Sequence, residues 1–350
     1  MSGNRLAAFV ASLILSPALV HAHERWFVRE GRHAGEHVSM EPLDLVLVLG
    51  GIVFVAVAFL VHHRDVAGRV RAGIDRVRRR VPDGVEWRVV AAVSGVMLLW
   101  NALSGVFLAP EFMLPGRGLA LLGAVAQAVI AGLLLFRSCF LLAGAAILFV
   151  AVPFGTAWFR LDFLIHYGLE YIALALALIL VALSSEHADP LAHRVRRWVK
   201  REPHDVAHLP LPVIRIGLGL TFMALALHCK FVDPNISLTF LDHHDLNFMR
   251  QLGVPTFTNA RFLFAACVAE TALGLTLALG IATTFVASLL LVVLCTTLAM
   301  FGLVELMGHL PIMAIVLLLL YRDAGSYGVP RTLPWRETRK LDNAWEPTLP

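Results

Sequence analysis

The sequence predicts an all-α, polytopic integral membrane protein: tandem four-helix bundles preceded by one extra N-terminal transmembrane helix. Three observations predict it. Of 350 residues, 58% are hydrophobic and 15% charged, and the mean hydropathy of +0.76 lies outside the balance of a water-soluble domain. Apolar runs of about 20 residues recur, each long enough to cross a hydrocarbon core of ~30 Å as a helix. Polar residues inside these runs also repeat, since Gln127 and Glu270, Asp162 and Glu305, and His166 and His309 share one offset of 143 residues. A soluble enzyme is excluded.

Residues 1–22 combine a basic start at Arg5, an apolar run from Leu6 to Leu15, Pro17 as a helix breaker and Val20-His21-Ala22 as a small-residue cleavage site. That pattern is a cleavable signal peptide. Cleavage after Ala22 leaves 23–42 as a periplasmic N-terminal segment beginning at His23, with Trp26 and Phe27 as interfacial anchors. Nine membrane-crossing runs follow, at 43–62, 87–108, 117–136, 138–157, 163–183, 212–231, 261–280, 283–303 and 309–321. The first is the extra helix, 43–64. The next eight form a first four-helix unit, 87–183, and a second, 212–321, separated by a basic cytoplasmic loop, 184–211. A cytoplasmic tail, 322–350, closes the chain. The last run is short and spans only if its helix begins near Glu305. The common offset reads as an internal repeat, and an even number of spans per unit makes both face the same way.

Starting outside, the alternation puts 63–86, 184–211 and the tail on the cytoplasmic side. Those segments hold Arg64, Arg69, Arg71, Arg76, Arg78, Arg79 and Arg80, then Arg194, Arg196, Arg197, Lys200 and Arg201. The export signal and the positive-inside rule therefore agree on a multi-pass protein of the bacterial inner membrane with its N-terminus periplasmic. The formal charge of +4 speaks to orientation in a lipid bilayer, and no nucleic-acid partner is implied. The stretch 194–201, with Trp198 interleaved, reads as a basic segment on anionic lipid. His62, His63, His187, His193, His204 and His208 read as solvated at that side, and Arg215 as a side chain snorkelling to the headgroups. Cys139, Cys229, Cys267 and Cys295 lie in or at the ends of apolar runs without paired spacing, and read as small core residues.

The candidate chemistry gathers on the opposite side. The loop after the sixth span supplies His228, Cys229, Lys230, Asp233, Asp242, His243, His244 and Asp245. Imidazole with carboxylate suits copper, zinc, iron or manganese, and a solvated polar loop is the alternative. Asp162 with His166, and Glu305 with His309, are four residues apart and so share a helix face, with Glu170 one turn beyond the first pair. Such pairs can bind a metal, pass protons or satisfy themselves by hydrogen bonding. His23, once exposed by cleavage, joins an α-amine to an imidazole, a combination favoured by copper(II). Glu270 lies within the seventh span, where an ionised carboxylate is costly, and should find a partner in His228 or Lys230. The matching Gln127 cannot ionise, so acid chemistry belongs to the second unit.

The runs "VIRIGLGLTFMALALHCKF" (213–231) and "AETALGLTLALG" (269–280) resemble the DoxX-like family of four-helix membrane proteins, over 212–321 and more faintly over 87–183. The family is named for a membrane subunit of a thiosulfate:quinone oxidoreductase. The resemblance implies a four-helix fold, and by position Arg215, Lys230 and Glu270 match the family's recurrent polar residues and become candidate catalytic groups. The histidine-rich N-terminus and the Asp242-His243-His244-Asp245 loop depart from the family pattern. The resulting expectation is a protein of a quinone-linked or other membrane redox system, possessing a periplasmic His/carboxylate site, with quinone or copper or another transition metal as cofactor and a membrane redox complex as partner. Handling or transport of copper or zinc, and a non-catalytic assembly role, are the alternatives. No haem-attachment, flavin or iron–sulfur motif is present in the sequence.

Overall fold

A computed structural model describes residues 42–64, 73, 74, 76, 84–136, 139–185, 190–199, 203–325 and 327–329. Of the described residues 84% are helical, and none of them lies in a strand. In chain order the helices are α1 (Pro42–Arg64), α2 (Val85–Ser104), α3 (Arg117–Leu135), α4 (Phe140–Ala146), α5 (Val152–Phe163), α6 (Leu169–Ser184), α7 (Pro190–Val199), α8 (Pro203–Val206), α9 (Pro210–Leu227), α10 (Asn235–His244), α11 (Phe248–Gln251), α12 (Asn259–Leu279), α13 (Thr283–Phe301) and α14 (Leu303–Arg322). Among the described residues seven helical stretches are long and apolar enough to cross a membrane. One of them, Phe140–Ser184, is 45 residues long and changes direction at Arg160, whose φ of 57° and ψ of −139° are not helical. The two arms of that kink correspond to separate expected runs. α14 begins at Leu303, which gives the short run at 309–321 the extra length it needs to span. The chain is therefore a multi-pass membrane protein.

α1 stands at the edge. Leu45, Val46, Leu49 and Ile52 are all at least half exposed, as expected of a helix solvated by lipid on most sides. One face packs on α12, where Gly51 sits so close to Val268 that a Cβ would collide with it. His62, expected to be solvated, is instead buried. Its Nδ1 accepts from the Ala282 backbone N–H at 3.1 Å and its Nε2 reaches the Val329 carbonyl at 2.8 Å. The ring thus satisfies the Ala282 N–H in the turn between α12 and α13, which lacks a helical partner, and ties that turn to the segment after α14.

The remaining spans are cross-packed. Within the first half α2 packs on α3 and α4 on α6, and within the second α9 packs on α12 and α13 on α14. Between the halves, the first helix of each lies against the last of the other, α2 on α14 and α9 on α6. Small residues allow the closest crossings. At the α9/α12 crossing, a Cβ on Gly219 would stand 2.5 Å from the Gly274 carbonyl oxygen, and one on Gly274 would stand 2.6 Å from that of Gly219. In lipid, where burying apolar surface gives little drive, such backbone proximity supplies dispersion contact that larger side chains would prevent.

The repeat positions do matched work. Gln127 in α3 accepts from the Leu108 N–H at 2.7 Å and donates to the Val106 carbonyl at 2.9 Å, tying α3 to the chain just beyond α2. Glu270 in α12 holds Lys230, just beyond α9. The second half has an ion pair where the first has an amide clasp.

Candidate functional site

Two wide turns of π geometry, Leu164–Gly168 leading into α6 and His228–Val232 following α9, face one another at the end of the bundle away from α7. Such turns insert one residue into a helix and turn the adjoining side chains off the regular rows, and they are frequent at functional sites. Here the second turn sends three consecutive side chains to three partners. His228 Nε2 lies 3.9 Å from Asp162 Oδ1. Cys229 Sγ lies 3.4 Å from His166 Nε2. Lys230 Nζ lies 2.9 Å from Glu270 Oε2. The Cys229 carbonyl is occupied by the Ser237 hydroxyl at 2.8 Å, which fixes the turn from α10.

His166 is 2% exposed and its other ring nitrogen, Nδ1, lies 3.3 Å from Glu111 Oε1. Glu111 Oε2 accepts from the Tyr167 hydroxyl at 3.1 Å. Glu111, His166 and Cys229 thus form a line of carboxylate, imidazole and thiol, with the carboxylate orienting the ring and the ring facing sulfur. This order of groups allows an imidazole to take a thiol proton while a buried carboxylate stabilises the imidazolium.

The segment carrying Glu111 is held from several sides. Phe107 and Phe112 pair through a backbone hydrogen bond of 2.8 Å. Leu108, at a φ of 63°, accepts from the Tyr171 hydroxyl at 2.9 Å through its carbonyl. Phe112 packs against Phe159, Phe163 and Tyr167. Phe107, Leu108, Ala109 and Phe112 are all buried. The carboxylate is therefore presented by a packed wedge fixed to α3, α5 and α6.

Lys230 and Glu270 form a second centre, with side chains 0% and 3% exposed. The expectation that Glu270 needs a partner is met by Lys230, while His228 turns to Asp162. A buried pair of this kind stabilises chiefly in the sense that removing either member strands the other charge.

The other expected site residues are dispersed. Asp162 and His166 do not act as one helical row, because the turn at Leu164–Gly168 lies between them; Asp162 is half exposed beside His228 while His166 is buried on Glu111 and Cys229. Glu170 is buried in α6. His243 Nδ1 bonds the Thr239 carbonyl at 2.7 Å, and His244 packs its ring on Phe240 and Phe301. Asp242, His243, His244 and Asp245 are exposed, on the outer face of a small apolar cap in which Leu238, Phe240 and Leu241 meet Phe262 and Leu263. Asp245 ends α10 in the left-handed region at φ 44°. His309 is buried in α14. His23 and the Glu305 side chain lie outside the described residues. Among the described residues no three His, Cys, Asp or Glu side chains come together in a way that could hold a metal ion. The described members of the expected metal set are thus divided between the π turns, the α10 cap and α14.

Arg215 requires a correction. It is 0% exposed and does not snorkel to the headgroups. Its guanidinium donates to the Tyr327 carbonyl at 3.1 Å and to the Leu277 carbonyl at 3.5 Å, over Gly280, where φ is +70° and any Cβ would occupy the space of the guanidinium. It caps the C-terminus of α12, whose last carbonyls lack helical partners and carry partial negative charge. Fifteen residues separate it from Lys230, about 22 Å along the helix at ~1.5 Å per residue, so Arg215 serves the opposite end of the bundle.

Glu111 was not anticipated, and Cys229, named in the outer loop, reads from the sequence as a small core residue with no role of its own. Glu111 is the lone acidic residue between α2 and α3, the only sequence signal that singled it out, and Cys229 carried none beyond its place between His228 and Lys230. In comparisons with known proteins, no protein-family model, no curated protein and no solved structure matches the chain.

Proposed function

We propose that this chain is a DoxX-like inner-membrane protein that serves a quinone-linked or other membrane redox system through a polar site open to the periplasm. The observation that carries the reading is the line Glu111–His166–Cys229 at the junction of the two halves. A half-buried thiol on a buried, carboxylate-oriented imidazole is the one arrangement among the described residues that couples a proton to a redox-capable atom. The Lys230–Glu270 pair adjoins it through the same π turn and, in the resemblance to DoxX-like proteins, falls at the positions of that family's recurrent polar residues. Quinone is the membrane-soluble acceptor suited to a site at this depth, and a neighbouring redox complex is the partner this role calls for.

The test is the rate of quinone reduction by purified protein with a dithiol as electron donor, above the rate without protein, in the wild type and in Cys229→Ser and Glu270→Gln. The reading expects loss in Cys229→Ser and a fall in Glu270→Gln. Equal rates in all three would remove it. Dispersal of the histidines leaves copper or zinc handling with no specific observation in its favour.

A further inference from the structure

A second feature lies at the other end of the bundle, where α2 begins and α14 ends. Between these helices opens a crevice of about 550 Å³ lined by Ile74, Glu86, Val89, Leu317, Leu318 and Tyr321, among others. Its size falls in the range of small-molecule and lipid sites. Val89 and Leu317, at its edges, are 49% and 47% exposed, and in a membrane-spanning bundle these side chains face acyl chains. The crevice therefore opens sideways to lipid.

Its polar chemistry is narrow. Glu86 is the one charged residue among the described residues that line it, and this side chain is only 9% exposed. Glu86 Oε1 accepts from Arg322 Nη2. Glu86 Oε2 is buried with no hydrogen-bond partner among the described residues. An acceptor oxygen of a carboxylate left in this state costs on the order of 1–3 kcal/mol or more, and such an atom calls for a donor. Arg322 itself lies over the Tyr321 ring, 5.7 Å from its centroid, which places a cation at the same mouth.

We infer that the α2/α14 crevice binds an aminophospholipid of the phosphatidylethanolamine type, its ammonium donating to Glu86 Oε2 and its acyl chain lying along Val89, Leu317 and Leu318. An ammonium carries three donors and no acceptor, matching an unpartnered carboxylate oxygen, and the lipid phosphate is matched in sign by Arg322. A phosphatidylglycerol head has no cation for Glu86 and brings a net negative charge to a buried carboxylate. The site thus selects by headgroup at the point where the two halves of the chain close on one another.

The full-length protein is reconstituted in nanodiscs of equal phosphatidylethanolamine and phosphatidylglycerol, released into mild detergent, and its retained lipid measured by native mass spectrometry. Wild type retains phosphatidylethanolamine over phosphatidylglycerol; Glu86→Gln, which keeps the Arg322 acceptor but loses the charge, reduces that retention roughly tenfold, the loss of one charge-assisted hydrogen bond. Val89→Trp, at a lipid-exposed position, fills the crevice and removes retention with the Glu86–Arg322 pair intact, so the test holds even if Glu86→Gln folds poorly. Equal retention of both lipids, unchanged retention in both variants, no retained lipid in the wild type, or a quinol in place of the phospholipid would each overturn the assignment.

Discussion

Cys229 and His166 belong to different halves of the chain, yet sulfur and Nε2 stand 3.4 Å apart, and the ring is backed by Glu111 at 3.3 Å. This contact, with its half-buried position, sets Cys229 apart from Cys267 and Cys295. Cys267 is buried and Cys295 is exposed on a spanning helix, where exposure means contact with lipid. A charged, membrane-impermeant alkylating reagent should therefore modify Cys229 in preference to Cys295. Replacing His166 by Asn, which keeps a polar ring-sized contact but no base, should slow modification by at least about tenfold, and Glu111→Gln by less. Mass spectrometry of the labelled peptide reads the rates; equal labelling of wild type and His166→Asn would show that the imidazole does not act on the thiol.

Lys230 and Glu270 should behave as one unit. Lys230→Met and Glu270→Leu each leave an uncompensated group in a site with almost no exposure, and each should cost about 3–5 kcal/mol. Joining Lys230→Met to Glu270→Leu should recover most of that loss, since an apolar pair of similar volume is often as stable as a buried ion pair. Thermal unfolding in detergent of the two single variants and the double variant measures the coupling. Additive losses would mean that the two groups do not depend on each other.

The spans and their order were legible from hydropathy alone, because lipid demands the same thing of every crossing: about 20 apolar residues with all backbone groups bonded within the helix. The need of Glu270 for a partner was legible for the same reason. The Glu111–His166–Cys229 line was not. Regular i,i+4 spacing places His166 in a row with Asp162, and only the kink at Arg160 and the π turn at Leu164–Gly168 turn it toward α9. Nor does a basic residue near a helix start announce its direction. Arg215 reads as a snorkelling side chain until the left-handed turn at Gly280 supplies a recess beside two carbonyls.

That recess yields a further expectation. Arg215→Met removes both donors to the α12 end and leaves a cavity shaped for a guanidinium, and a loss of about 2–3 kcal/mol follows from hydrogen bonds to a charged donor. Arg215→Lys should restore part of it, since one ammonium cannot reproduce the planar fork. Quinone reduction per folded molecule should be unaffected by either change, because the site lies at the other end of the bundle. A specific activity that falls while the folded fraction is unchanged would contradict a structural role.

His244 provides a titration with a definite sign. Partial burial of the ring, and secondly the charge of neighbouring His243, hold its pKa below the ordinary histidine value of 6.5. The folded chain therefore binds this proton less readily than the unfolded chain. The associated stability is present above about pH 6.5 and is lost as pH falls through that value toward the lower folded pKa, levelling off below it. Imidazole NMR should place the His244 midpoint below 6.5, and His243→Asn should move it upward by removing the neighbouring charge. A midpoint at or above 6.5 would show that the ring is not held against Phe240 and Phe301 in solution.

The cross-packing of the two halves has a consequence for how the molecule is made. α2 leaves the ribosome about two hundred residues before its partner α14, so α2 must wait in the membrane with one face uncovered while those residues are still being translated. The thiol line closes sooner, once α9 reaches α6, but the seam between α2 and α14 seals only after α14 has been made. Chains truncated before Leu303 should therefore be recognisable to membrane quality control by the bare flank of α2, even when every earlier span has been inserted in its proper direction.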